Sequence, residues 1–213
     1  MSLEDLRAGA RVISRDGDTL GTLSRVVIVK ESLKLTHLVV AAEGGMADER
    51  VVPLGVLREA SEDAVQLSMS TDEFGEFAVK YDTLVYQPMA DAERGRLDAS
   101  DVRRFVASLP GELGPAVMTD VLAKAPDEVD IAKDSPVWRL NPHQKIGEVE
   151  HVIFDDRTRK IASLVIRRGF LFSREVVLPV QYVTEVVEAL GGIVRVEIDD
   201  AALKQLQEFH PGR

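Results

Sequence analysis

Few residues of this 213-residue chain have both the type and the spacing that chemistry requires. Four histidines occur, His37, His143, His151 and His210. None stands at the His-x-x-x-His spacing that places two imidazoles on one helix face, and no neighbouring carboxylates complete a ligand set. Asp155-Asp156 and Asp199-Asp200 are metal-binding pairs by type alone. Their settings favour a backbone role: a hairpin turn for the first, a helix start for the second, where aspartate oxygens accept main-chain N–H groups. Cysteine is absent, which removes disulfides, thiolate zinc, iron–sulfur clusters and thiol catalysis. No Gly-x-Ser-x-Gly elbow, phosphate-binding loop or dinucleotide fingerprint is present. Gly44-Gly45 and Gly191-Gly192 are turn glycines between strands, not phosphate cradles before a helix. The residues point to no enzyme activity, no metal and no cofactor.

One stretch stands out, "IRRGFLFSRE", Ile166 to Glu175. Phe170, Leu171 and Phe172 fall in a loop, flanked by Arg167, Arg168 and Arg174. Loops avoid consecutive large apolar residues unless something covers them. Two coverings are open: the loop folds onto its own domain, or it is a contact surface, since aromatics beside arginines are typical interface anchors. The corresponding stretch of the first half, "AAEGGMADER", keeps only Met46 and is acidic, so the two could complement each other between subunits. Trp138, behind Pro136, reads as a lid on a core, since a single aromatic makes no stacking surface.

The elements that must position these residues come in two copies. At an offset of 126, Gly21, Val26, Lys34, Leu38, Val39, Glu49, Val51 and Pro53 match Gly147, Val152, Lys160, Leu164, Val165, Glu175, Val177 and Pro179. That is 8 identities in the 36 positions from Thr19 to Leu54, where chance gives about 2. Apolar pairs such as Leu23/Val149, Val27/Ile153 and Val52/Leu178 fill the gaps. Each copy reads as short strands between turn signals. Asp16-Gly17 supplies a hairpin turn, and Gly21 inside a strand predicts a bulge or a close backbone approach. Ser70 with Glu73 three residues later is a capping box for a short helix, and Asp199-Asp200 opens another.

Between the copies the pattern changes. Val102, Phe105, Val106 and Leu109 fall at i, i+3, i+4 and i+7, which predicts a helix capped by Asp98 or Ser100. "GPAVMTDVLAKAP" starts with Pro115 near a first helical position and stops before Pro126, predicting a second. "YDTLVYQP" before them reads as extended.

Hydrophobic residues make up 45% of the chain and aromatics 5%, so the core should be mainly Val, Leu and Ile. No apolar run approaches the roughly 20 residues of a membrane helix, and the expectation is a cytoplasmic protein without a membrane span. The formal charge is −10. From Arg139 onward 11 basic and 11 acidic residues balance, so the whole excess lies before it. Direct nucleic-acid binding, which needs clustered positive charge, is not expected.

The segments "DGDTLGTLSRVVI", "LTHLVVAAEG" and "ERVVPL", with "HQKIGEVEHVIF" and "IASLVIRRGFLFSREVVLPV", resemble the PRC-barrel domain, here in two tandem copies. Gly21, Leu38–Val40 and Pro53 fill its pattern in the first copy; Gly147, Leu164–Ile166 and Pro179 fill it in the second. About two-thirds of the chain is covered. The resemblance implies a small β-barrel that serves as an adaptor for other proteins, as in ribosome maturation, or as a support for an electron-transfer complex. The expected fold class is therefore mainly β with short helices, two small antiparallel β-barrels joined by a helical connector. Residues 1–78 are the first domain, 79–130 the connector and 131–213 the second domain. The expected function is a non-enzymatic protein-interaction or scaffolding module, with a protein partner or self-association as a homodimer. Its contact surface would be Arg167, Arg168, Phe170, Leu171, Phe172 and Arg174. The alternative is a ribosome- or RNA-associated assembly factor.

Overall fold

The structure, a computed structural model, describes residue 3 and residues 6–42, 49–80, 83–88, 104–107, 116–121, 125, 127–169, 173–188 and 192–210. Met1–Val79 and Lys124–Arg213 form one compact unit, and Lys80–Ala123 form a second.

The first half of the large unit runs through β1 (Arg11–Ile13), β2 (Thr19–Val29), β3 (Leu35–Ala42) and β4 (Glu49–Pro53). A 3-10 turn, Leu54–Val56, leads to β5 (Leu57–Ala60) and β6 (Ala64–Leu67), followed by α1 (Thr71–Phe77) and β7 (Val79–Lys80). The capping box read from the sequence opens α1. Ser70 Oγ accepts from the Glu73 N–H at 3.2 Å, and Glu73 Oε2 accepts from the Ser70 N–H at 2.7 Å.

In the second unit, β8 (Thr83–Pro88), β9 (Arg104–Ala107) and β10 (Ala116–Val121) make an antiparallel sheet in the order β8-β10-β9. The helical connector is thus corrected. Phe105 and Val106, assigned to a helix face, are strand residues opposite Met118 and Val117. A short run rich in β-branched and aromatic residues satisfies either period, and strand pairing decides it here. Asp98, Ser100, Val102 and Leu109 lie outside the described residues. The extended reading of the segment before them holds in β8.

The second half begins at β11 (Glu128–Ala132) and continues through β12 (Pro136–Arg139), β13 (Gln144–Phe154), β14 (Ile161–Arg168) and β15 (Arg174–Pro179). A 3-10 turn, Val180–Tyr182, then leads to β16 (Val183–Val187), β17 (Ile193–Val196) and α2 (Asp200–Lys204). Asp199 caps α2, its carboxylate accepting from the Ala202 N–H at 2.7 Å. The strand order β15-β14-β13-β12-β17-β16 repeats β4-β3-β2-β1-β6-β5. The register repeats as well. Leu38 faces Val52 and Val26, and Leu164 faces Leu178 and Val152, each at the offset of 126. Even the irregularities recur, after Leu23 and Val27 in one half and after Val149 and Ile153 in the other.

Neither sheet closes, which corrects the expectation of two barrels. The ends of the second sheet are β15 and β16; those of the first are β5 and β7. Closure would need β4 to pair with β5 and β15 with β16. A three-residue 3-10 turn joins each of these pairs, and it carries the chain round a corner to the opposite edge instead of back along its own strand. The vacated edges are used otherwise. β7 pairs on β4, and the C-terminal segment bonds β15 through Val177 N–H to Gln207 C=O and Phe209 N–H to Glu175 C=O, both 2.9 Å. What is observed is mainly β with two short helices among the described residues.

The two halves share one hydrophobic core, dominated by Val, Leu and Ile, with Phe74 and Phe154 its buried aromatics. Two features stitch them together. Lys34 and Lys160, equivalent positions, form an isolated antiparallel bridge. Its hydrogen bonds are reciprocal, Leu35 N–H to Arg159 C=O at 2.9 Å and Ile161 N–H to Leu33 C=O at 3.0 Å. In addition β11, which leads into the second half, pairs antiparallel with β2 of the first, Ile131 facing Val26 and Val129 facing Ile28. This brings the buried Asp130 carboxylate to Arg25, 2.9 Å away, while Glu49 takes the same guanidinium at 3.2 Å. Burial alone would lower the Arg25 pKa. The Asp130 hydrogen bond and the Glu49 charge more than offset that, so it ends above its usual value.

Gly21 makes the close approach expected of it. Its φ is +148°, and a Cβ there would run into the Ala41 carbonyl. At the equivalent Gly147 a Cβ would lie 2.6 Å from the Arg167 oxygen. Gly21→Ala should therefore lower stability in urea unfolding by about 3 kcal/mol. Gly55→Ala, with open space around its would-be Cβ, should change it by no more than about 0.5 kcal/mol. Equal effects would contradict the close approach. Arg25→Met removes the guanidinium shared by two buried carboxylates and should cost about 3 kcal/mol in the same assay. A loss typical of a surface residue would show that the ion pair holds nothing together.

Candidate functional site

The site foreseen in the sequence centres on the turn between β14 and β15. Phe170, Leu171 and Phe172 lie outside the described residues. The three arginines around them are placed, and they do not act together. Successive residues of a strand point to opposite faces, and Arg167 and Arg168 part accordingly.

Arg167 joins an acidic network. Its guanidinium pairs with Asp134, with Glu148 at 3.0 Å and with Glu150 at 3.6 Å. The Glu148 hydrogen bond, backed by the charges of Asp134 and Glu150, holds the Arg167 pKa above its usual value. Lys145, ahead of Arg167, holds the Glu148 carboxyl below its own. The charge of Arg167 is thus largely answered within the fold.

Arg168 turns the other way. Its Nε donates to the Ile146 carbonyl at 3.2 Å and a terminal nitrogen donates to the Leu203 carbonyl at 3.0 Å. Arg174 faces Arg168 across the β14–β15 ladder. Both line a cleft of about 470 Å³ whose other charged residues are Arg139, Lys145 and Asp200. Arg139 is only 3% exposed; it bonds the Asp200 carboxylate, yet its Nε is buried without a hydrogen-bond partner. Asp200 is held below the usual carboxylate range by that bond. Burial first, then the nearby Arg174 and Arg139 charges, push the Arg168 pKa down. The cleft is open on one side, and its lining carries four cations and one carboxylate.

The sequence reading missed Arg139, Lys145 and Asp200 as members of this cleft. The available signal was parity: Val137 and Arg139 share the buried face of β12, so Arg139 is an inward-pointing cation. Asp200 was read only as a helix-start residue, and it does sit in the first turn of α2. Asp155 behaves as a turn residue, accepting from the Thr158 N–H and hydroxyl, both at 2.7 Å. Trp138 is half-buried and not a core lid; it stacks on His143 with ring centroids 4.8 Å apart.

Among the described residues no group of three or more His, Asp or Glu side chains could hold a metal ion. In the same residues no helix is long and apolar enough to cross a membrane. Residues 136–203, from β12 to α2 and about a third of the chain, match the family model of the PRC-barrel domain. No curated protein matches the chain.

His151 is a buried group with a different consequence. It is 7% exposed and meets Phe209 edge to face at 4.7 Å. Burial pushes its pKa down to about 4; Arg7 and Lys133 add to this and Glu150 opposes it. The unfolded imidazole, at about 6.5, takes up a proton that the folded one refuses. The stabilisation is therefore complete above pH 6.5 and declines as pH falls towards 4, by at most about 1.4 kcal/mol per pH unit. Carboxylates with lowered pKa, such as Glu148 and Asp200, titrate below most of that window. Urea unfolding at pH 7, 6 and 5 should show the decline in the wild type and a flatter profile in His151→Gln. Parallel profiles would contradict a neutral buried imidazole.

Proposed function

We propose that this chain is a non-enzymatic protein-interaction or scaffolding module built from two PRC-barrel-type halves. The observation that carries the reading is the family match over residues 136–203. The recurrence of its strand order and register over residues 11–67, at an offset of 126, extends the reading to the first half. The contact surface is the β14–β15 turn with its flanks: Arg167, Arg168, Phe170, Leu171, Phe172 and Arg174. Three consecutive large apolar residues beside arginines have the composition of an interface anchor, and self-association as a homodimer is the simplest form of contact. Of the arginines, Arg168 and Arg174 are the better suited to a partner, because Arg167 is already paired with Asp134, Glu148 and Glu150.

Light scattering tests this directly. Wild type is expected at about twice the chain mass of 23.4 kDa. The Phe170→Ser/Phe172→Ser double variant is expected at the single-chain mass with an unchanged melting midpoint. A wild type that stays monomeric at high concentration eliminates the homodimer. A double variant that unfolds would assign the loop to the core and remove the surface altogether.

A further inference from the structure

The cleft beside that turn has a chemistry the interaction reading uses only in part, through Arg168 and Arg174. Four cations line it, Arg139, Lys145, Arg168 and Arg174, against one lining carboxylate, Asp200. Lys145 has Glu148 at 2.7 Å, and Arg174 has Glu208 only at 3.9 Å with both side chains more than half exposed. Arg168 bonds two main-chain carbonyls, which fix its direction without cancelling its charge. Arg139 is buried and keeps an unused Nε–H. A buried guanidinium with an unmade hydrogen bond is costly unless something completes it.

The first half shows that the frame itself does not need this charge. Ser14, Thr19, Ala42 and Thr71 take the places that Arg139, Lys145, Arg168 and Asp200 hold in the second half. There the matching contacts hold no guanidinium: the Thr71 hydroxyl donates to the Asp18 carboxylate at 2.9 Å and lies 3.3 Å from Ser14 Oγ, the Thr71 N–H donates to the Asp16 carboxylate at 3.2 Å, and Ser14 Oγ accepts from the Asp16 and Asp18 N–H groups at 3.2 Å. The same strand-and-helix frame is closed by short hydroxyls and two turn aspartates in one half and lined by guanidiniums in the other. Structural need explains the first arrangement and not the second.

We propose that the cleft of the second half binds a compact multivalent oxyanion, the phosphate or polycarboxylate group of a small molecule, through Arg139, Lys145, Arg168 and Arg174. A volume of about 470 Å³ falls within the roughly 300–1,000 Å³ of small-molecule sites. Guanidinium groups match oxyanions with paired donors, and Arg168 is pre-set by its carbonyl bonds, so little ordering remains at binding. Lining cations gathered around one cleft suit a compact anion; a nucleic-acid backbone would call for a stripe of charge along a surface. The proposal is independent of what the Phe170–Phe172 stretch contacts.

Isothermal titration with inorganic pyrophosphate, and separately with citrate, in chloride buffer of matched ionic strength tests it. One-site binding of at least one probe is expected, weakened tenfold or more in Arg174→Gln and in Lys145→Gln. Both positions are exposed enough for the fold to tolerate the change, which circular dichroism verifies. Arg58→Gln, an exposed arginine of the other half, should leave affinity unchanged. Preference for pyrophosphate assigns a phosphate ligand, and preference for citrate a polycarboxylate. No binding of either probe at millimolar concentration overturns the proposal, and so does equal weakening by Arg58→Gln.

Discussion

Two reciprocal backbone hydrogen bonds, from Leu35 to Arg159 and from Ile161 to Leu33, hold the halves of the large unit in their mutual arrangement. They join equivalent turns, so each half presents the donor and the acceptor that the other needs. The geometry has a local cost. Leu33 and Arg159 both take left-handed backbone, at φ 53° and 58°, a conformation that costs a non-glycine residue about 1 kcal/mol. It recurs at both positions because each turn also closes on itself, Leu33 N–H to Val29 C=O and Arg159 N–H to Asp155 C=O, both 2.8 Å. With the turns joined, β11 can lie along β2, although the chain continues from it into the second half. That placement carries Asp130 into the core, and only a cation alongside makes its burial tolerable; Arg25 is that cation. Gly192, from the second half, lies so close to the Asp130 carbonyl that no side chain would fit. Pairing, ion pair and glycine all follow from one seam.

The common core gives duplication a physical meaning. Apolar residues of both halves belong to one cluster, so neither sheet's buried face is closed without the other. Positions that set register and core contact are under the same constraint in both halves, and they remain alike: Leu38 and Leu164, Val39 and Val165, Pro53 and Pro179. Positions where the first strand meets the short closing helix are released. There the halves differ in kind, Ser14 against Arg139 and Ala42 against Arg168.

What could be read from the sequence follows the range of the interaction. Local rules reached the capping box at Ser70, the cap at Asp199, the turn at Asp155 and the close approach at Gly21, since each depends on a few neighbouring residues. The repeat reached the register, because equal spacing of apolar residues on two strands dictates equal pairing. Barrel closure was out of reach. It depends on which distant edge claims β4 and β15, and no local pattern states that β7 and the C-terminal segment take them. The connector failed for a related reason, as Phe105 and Val106 fit a helix face until β10 supplies strand partners. The arginine cluster was only half legible. Adjacency suggested that Arg167 and Arg168 work together, whereas strand parity sends one to Glu148 and Glu150 and the other into the cleft.

The two groups of buried charge contrast in a way that separates stability from function. At the seam, Arg25 meets two carboxylates, Asp130 and Glu49, and every partner is at least three-quarters buried. Such a set is answered within the chain and serves to hold β11 on β2. In the cleft, the balance runs the other way: the buried Arg139 has a single carboxylate partner, Asp200, whose side chain is 75% exposed. Burial lowers the pKa of Arg168, and the guanidiniums of Arg174 and Arg139 lower it further instead of supporting it. The first half forms the same strand frame with Ser14, Thr19 and Ala42 at the positions of Arg139, Lys145 and Arg168, so the frame does not require these cations. The excess is understandable when the balancing charge comes from outside the chain.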